Sequence, residues 1–166
     1  MTQAIFKSQY FFYRKYLALF AKISGACCLA MTIHNHPANA QNTVAIDSNT
    51  IAQPLIIRGT SNGSIKSAEI ARTENTPTGF CDGYVDARPN HLLEIESFLE
   101  SLRLEVKSSV DSTLMVEGSS GVWCNDDSSS ANPMIEGPWQ QGLYKVWVGS
   151  YQADKQNNYQ IEITGK

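Results

Sequence analysis

The chain has 166 residues, 13 Lys plus Arg against 16 Asp plus Glu, and 17% charged residues. That length holds one ordinary domain, or a smaller one behind a leader, and excludes two large ones, while a formal net charge of −3 disfavours a phosphate-binding surface. Hydrophobic content of 42% excludes wholesale disorder, and six Pro and 11 Gly exclude collagen-like and Pro-rich classes.

Residues 1–40 carry Lys7, Arg14, Lys15 and Lys22 and no Asp or Glu. An apolar run of 11 residues, Ile23–Ile33, follows. His34-Asn35-His36-Pro37 then breaks any helix, and Ala38-Asn39-Ala40 is the small-x-small pattern that signal peptidase cuts. This order reads as a secretory signal peptide cleaved after Ala40. The competing membrane anchor is too short, since a hydrocarbon core needs about 20 apolar residues. A lipid anchor at Cys27 lacks the apolar residue expected three positions before the cysteine.

Cleavage removes four of the 13 basic side chains and none of the 16 acidic ones, leaving 126 residues with net charge −7. Nucleic acid is then excluded as a partner, because the remaining basic residues are scattered singly, and no stable membrane span remains. Cys27 and Cys28 also leave. The remaining pair, Cys81 and Cys124, reads as a disulfide in an exported chain. Two reduced thiols or a metal site are the alternatives, and two cysteines without a paired His are too few ligands for structural zinc.

Residues 41–53 read as a polar linker or loose arm, and 54–166 as one domain. Pro54–Arg58 is strand-like, Asn62-Gly63 is a hairpin-turn signal, and Ser64–Ile70 is the expected returning strand. In His91–Ser97, Leu93 and Ile95 share one face and Glu94 and Glu96 the other. Leu102–Lys107 alternates cleanly, with Leu102, Leu104 and Val106 inward. Helix propensity competes across Leu92–Val106, but the period of two predicts two strands joined near Phe98–Ser101. Asp111–Glu117, Gly121–Cys124, Gly142–Ser150 and Tyr159–Thr164 continue the series. The expected fold is all-β, an antiparallel β-sandwich with one disulfide.

Four segments, Val110–Gly118, Trp123–Ser128, Asn132–Ile135 and Gly142–Tyr151, together resemble the bacterial pre-peptidase C-terminal domain. Asp111, Leu114, Asn125, Asp126, Asp127, Gly142, Tyr144 and Val146 fall on that family's pattern. The resemblance covers about residues 90–166 and implies a secreted, jelly-roll-like sandwich with a binding or accessory role. No protease accompanies it in this chain, so a role beside a catalytic domain does not carry over.

Three groups of residues are candidates for chemistry. Asn125, Asp126 and Asp127, joined by Asp111, gather hard oxygens of the kind Ca²⁺ binds in sets of six to eight. A polar turn whose Asx side chains bond their own backbone is the competing and favoured reading. All three Trp lie in the set Trp123, Trp139, Tyr144, Trp147, Tyr151 and Tyr159, which serves either a core or a ligand platform. Strand parity puts Trp147 on the more polar side, so Trp147 and Tyr151 are the expected contact residues, and Trp123 is expected to cover the disulfide. His91 is the only His left after cleavage. A hydrolase would have to use it, for instance with Asp111 and Ser119, but no G-x-S-x-G stands in the chain. The expectation is a non-catalytic exported module that contacts an extracellular protein or glycan.

Overall fold

The structure, a computed structural model, describes residues 43–128 and 131–165. The expected leader and its cleavage site lie outside them. Strands β1 (Thr43–Ile46), β2 (Leu55–Ser61) and β3 (Ile65–Lys66) lead into a single helical turn, α1 (Ser67–Ala71). Short strands β4 (Asn75–Thr76), β5 (Gly79–Phe80) and β6 (Tyr84–Val85) follow. The body is β7 (His91–Ile95), β8 (Leu99–Ser108), β9 (Ser112–Gly118), β10 (Gly121–Asn125), β11 (Met134–Trp139), β12 (Gly142–Ser150) and β13 (Asn157–Gly165).

In one sheet β12 lies between β7 and β9, with β1 beyond β7 and β10 beyond β9. β6 and β3 continue this sheet from the end of β12. The other sheet runs β11–β8–β13–β2, and β4 and β5 form a separate hairpin. Leu102, Leu104 and Val106 of β8 are fully buried against Leu93, Leu114, Val116 and Val146 of the first sheet. The period of two thus prevails over helix propensity, because each alternate side chain gains about 1.5–3 kcal/mol by entering the core. The result is the expected β-sandwich, antiparallel except where β1 runs parallel to β7, and a Cys81–Cys124 disulfide links it to the β4–β5 hairpin.

Two expectations are corrected. Within the expected linker, residues 43–53 are not simply a loose arm: β1 is an edge strand, and Ile46 and Ile51 are buried in the main core. The polar residues between them form a closed turn, in which the Asp47 carboxylate accepts from the Asn49 and Thr50 backbone N–H groups at 3.0 and 2.7 Å. Asn62-Gly63 does not close a hairpin either, since β2 pairs with β13 and β3 with β6, in different sheets. Gly63 serves a close approach: a Cβ there would lie 2.0 Å from the Val85 carbonyl carbon. Most of the expected returning strand is instead α1, which packs Ala71, with Ala68 and Ile70, on the outer face of the first sheet.

Candidate binding site

The outer face of the first sheet carries a second, smaller core. Met115 of β9 and Trp147 of β12 are register partners, and they pack with Val85, Ala71 and the disulfide. Trp147 is 3% exposed, which corrects its assignment as a contact residue. It does point away from the main core, as parity requires, but α1 and the Cys81 segment cover that face. Its indole N–H is buried with no hydrogen-bond partner among the described residues. Tyr151, by contrast, is 57% exposed and borders a polar depression with Lys66, Asp82 and Tyr84. Trp123 does not cover the disulfide: neighbours in a strand point to opposite faces, so Cys124 faces the second core and Trp123 the main one.

The calcium candidates are brought only partly together. Loss of water contact, and then the charges of Asp127 and Asp126, raise the Asp111 carboxyl above its ordinary range. Asn125 is committed elsewhere, its amide nitrogen donating to the Thr78 carbonyl at 2.9 Å and its oxygen accepting from Met134 N–H at 3.1 Å. Among the described residues, no group of three or more His, Cys, Asp or Glu side chains is placed to hold a metal.

The His91, Asp111 and Ser119 combination is not assembled. Ser119 sits beside Gly142, at one end of β12, whereas the Asp111 carbonyl accepts from Tyr151 N–H at 3.3 Å, beyond the other end. At about 3.3 Å rise per residue, these ends are roughly 25–30 Å apart. His91 Nε2 is 2.9 Å from the Tyr159 hydroxyl, and burial lowers its imidazole pKa.

A different site forms where the free edges of the two sheets meet, β10 on one and β11 on the other. Asn125 closes one end of this seam through its bond to Met134. Beyond it lies a cavity of about 250 Å³ lined by Trp123, Trp139, Tyr144, Ile135, Glu136, Pro138 and Thr78. The Trp123 and Trp139 rings stack at 6.4 Å, and Tyr144 lies 4.7 Å from Trp139. Trp139 N–H donates to the Leu102 carbonyl at 3.0 Å and Tyr144 O–H to the Gln140 carbonyl at 2.9 Å, so these two deep rings are fixed and satisfied. Trp123, half-buried, is the most accessible of the three rings.

The cavity follows from one residue. Along β11, Ile135 and Trp139 are buried while Glu136 and Pro138 are exposed, which makes Gly137 the inward position between them. A Cβ there would meet nothing within 4 Å, so the missing side chain leaves an aromatic-walled slot. Neither Gly137 nor Trp139 is among the residues that sequence reasoning singles out as contacts. The available signal is the alternation Ile135, Gly137, Trp139, a core pattern with its middle side chain absent.

No protein-family model matches the chain. A stretch of 88 residues is 32% identical to an uncharacterized protein of Synechococcus elongatus, covering 51% of this chain and 65% of that protein. The chain thus spans just under two thirds of the length of this curated relative. Among solved structures, it is similar to the pre-peptidase C-terminal domain of a collagenase from Bacillus anthracis, with 10% identity, a TM-score of 0.45, and coverage of 75% of this chain and 96% of that one. It is also similar to a periplasmic inhibitor of g-type lysozyme from Aeromonas hydrophila, with 11% identity, a TM-score of 0.42 and the same coverage of 75% and 96%.

Proposed function

We propose that this chain is an exported, non-catalytic binding module that holds an apolar group of its partner in the Gly137 slot. The observation carrying this reading is the vacancy itself: a pre-formed, aromatic-walled cavity at an inward strand position, opening between two sheet edges. Small-molecule and side-chain sites have this character, mostly apolar with few polar groups at the rim. At about 250 Å³ the slot takes one ring or one long side chain. The separation of His91, Asp111 and Ser119 supports a non-catalytic role. Export is supported by the sequence of residues 1–40 and by a disulfide that oxidising compartments maintain. Among the described residues, no helix is long and apolar enough to cross a membrane.

Gly137→Leu tests the reading, because it fills the slot from the chain's own backbone. Indole, as a one-ring probe, is expected to shift the Trp123 side-chain N–H resonance in the wild type and to leave it unmoved in Gly137→Leu. An equal response in both proteins would overturn the assignment. Terminal sequencing of exported material is expected to read from Gln41.

A further inference from the structure

The rim of the slot carries two polar groups without partners. Val106 N–H donates to the Pro133 carbonyl at 3.0 Å, and Met134 N–H turns the other way, to Asn125. By antiparallel alternation, the backbone groups of Ile135 and Gly137 then face β8, and those of Glu136 face outward. Among the described residues β11 has no neighbouring strand but β8, and outside the strand ladders no hydrogen bond to the Glu136 N–H or C=O is made. The edge is stopped on both sides, by the Asn125 cap at Met134 and by Pro138, which has no N–H. One residue of strand edge is therefore open, beside the slot.

The Glu136 carboxylate is also unmatched. Its cross-strand neighbour, Arg103, is bonded to Glu105 at 2.9 Å, and Glu136 accepts only from the Ser101 hydroxyl at 3.3 Å. Residues 41–166 carry net charge −7, which adds to the field at this point.

We propose that β11 receives an extended peptide segment of a partner protein by strand addition at Glu136, an inference that rests on the Gly137 slot being the binding site. One peptide residue exchanges both backbone hydrogen bonds with Glu136, and its Lys or Arg side chain lies beside the Glu136 carboxylate on the outer face. The next residue points the opposite way and places an aromatic or long aliphatic side chain in the slot. Backbone bonds then hold the segment and the slot selects its sequence. A sugar would use the aromatic walls but has no need of the Glu136 backbone pair. A second copy of this chain would bring another acidic edge against this one.

The test is a library of acetylated, amidated octapeptides screened against the full exported protein, wild type and Gly137→Leu. Enriched peptides are expected to pair a basic with an adjacent apolar residue. They should bind Gly137→Leu at least tenfold more weakly, lose about tenfold on N-methylation of the residue opposite Glu136, and weaken several-fold with Glu136→Lys. Binding that tolerates N-methylation at every position overturns strand addition. If indole fills the slot but no peptide is enriched over Gly137→Leu, or only methyl glycosides compete, the peptide inference falls and the slot reading stands. If neither indole nor peptide binds, both fall. A dimer in sedimentation that Gly137→Leu dissolves would make a second copy the occupant and overturn the proposal. Should Gly137→Leu fail to fold, Trp123→Ala serves as the slot variant.

Discussion

The Thr78 hydroxyl donates to the carbonyl of Cys124 at 2.8 Å, on the residue whose sulfur is bonded to Cys81. Thr76 Oγ1 accepts from Cys124 N–H at 2.9 Å, so both outward backbone groups of Cys124 are closed by the β4–β5 hairpin. This seals the β10 edge at that point, where a bare strand would invite pairing with another chain. The same hairpin brings Thr78 to the wall of the slot. Covalent and hydrogen bonding at Cys124 therefore shape the cavity.

Reduction of the disulfide is expected to lower both stability and slot binding. The bond closes a sequence separation of 43 residues, for which the chain-entropy model gives about 4 kcal/mol. Urea denaturation with and without reductant, and of Cys81→Ser/Cys124→Ser, should show this as a lower midpoint. Indole binding should weaken in parallel as Thr78 loses its anchor. An unchanged midpoint would contradict a stabilising bond.

Two tryptophans of equal size should respond differently to the same substitution. Trp139→Phe removes the N–H that bonds the Leu102 carbonyl at 3.0 Å, whereas Trp147→Phe removes an N–H that has no partner among the described residues. Both lose comparable packing, so the difference is the hydrogen bond, about 1 kcal/mol. Trp139→Phe is expected to melt about 4 °C below Trp147→Phe. The reverse order would mean that the Trp147 N–H has a partner in solution.

The strands were legible because their signal is local. Leu102, Leu104 and Val106 alternate with charged residues, and Gly142–Ser150 is bounded by the same residues in sequence and structure. Parity also settles that Trp123 and Cys124 face opposite ways, so covering the disulfide falls to Trp147. What parity leaves open is whether a face is covered. The cover over Trp147 is the Cys81 segment and five residues of helix from a distant part of the chain, the helix being too short to display a period. Asn62-Gly63 has the chemistry of a hairpin, but Gly63 answers to Val85, a contact that no local rule contains. The slot was hidden because β11 contains Pro138 and a register shift after Gly137. The proline argues against a strand when met in sequence alone, and the register shift has no sequence signal of its own.

His91 is expected to make the fold acid-sensitive. Burial holds its imidazole below the ordinary 6.5, and burial, with the Asp86 charge, raises the Tyr159 phenol. Both partners of the 2.9 Å bond are thus neutral at pH 7. As pH falls, the unfolded chain takes up the His91 proton before the folded one does. This contribution to stability is constant above 6.5 and declines as pH drops from there through the lower folded-state value. His91→Gln should melt with a flatter profile between pH 7.5 and 4.5. Identical profiles would remove His91 as the source.

Asp111 has the opposite sign. Its carboxyl is raised, by loss of water contact and then by the charges of Asp127 and Asp126, so the folded state disfavours the ionised form. The charge opposes folding above the carboxylate range and ceases to do so as pH falls through it. Asp111→Asn is therefore expected to leave the melting temperature unchanged or slightly raised at pH 7, with the difference vanishing at low pH. The same geometry bears on calcium. With the Asn125 oxygen held by Met134 N–H at 3.1 Å, the site offers three carboxylates, exposed Asp111 and Asp127 and half-buried Asp126, short of the six to eight oxygens that Ca²⁺ gathers unless water supplies the rest. Millimolar Ca²⁺ and chelator are expected to give the same melting temperature. A rise with Ca²⁺ that Asp126→Asn abolishes would instead show that the cation overcomes this repulsion and that the loop is a metal site.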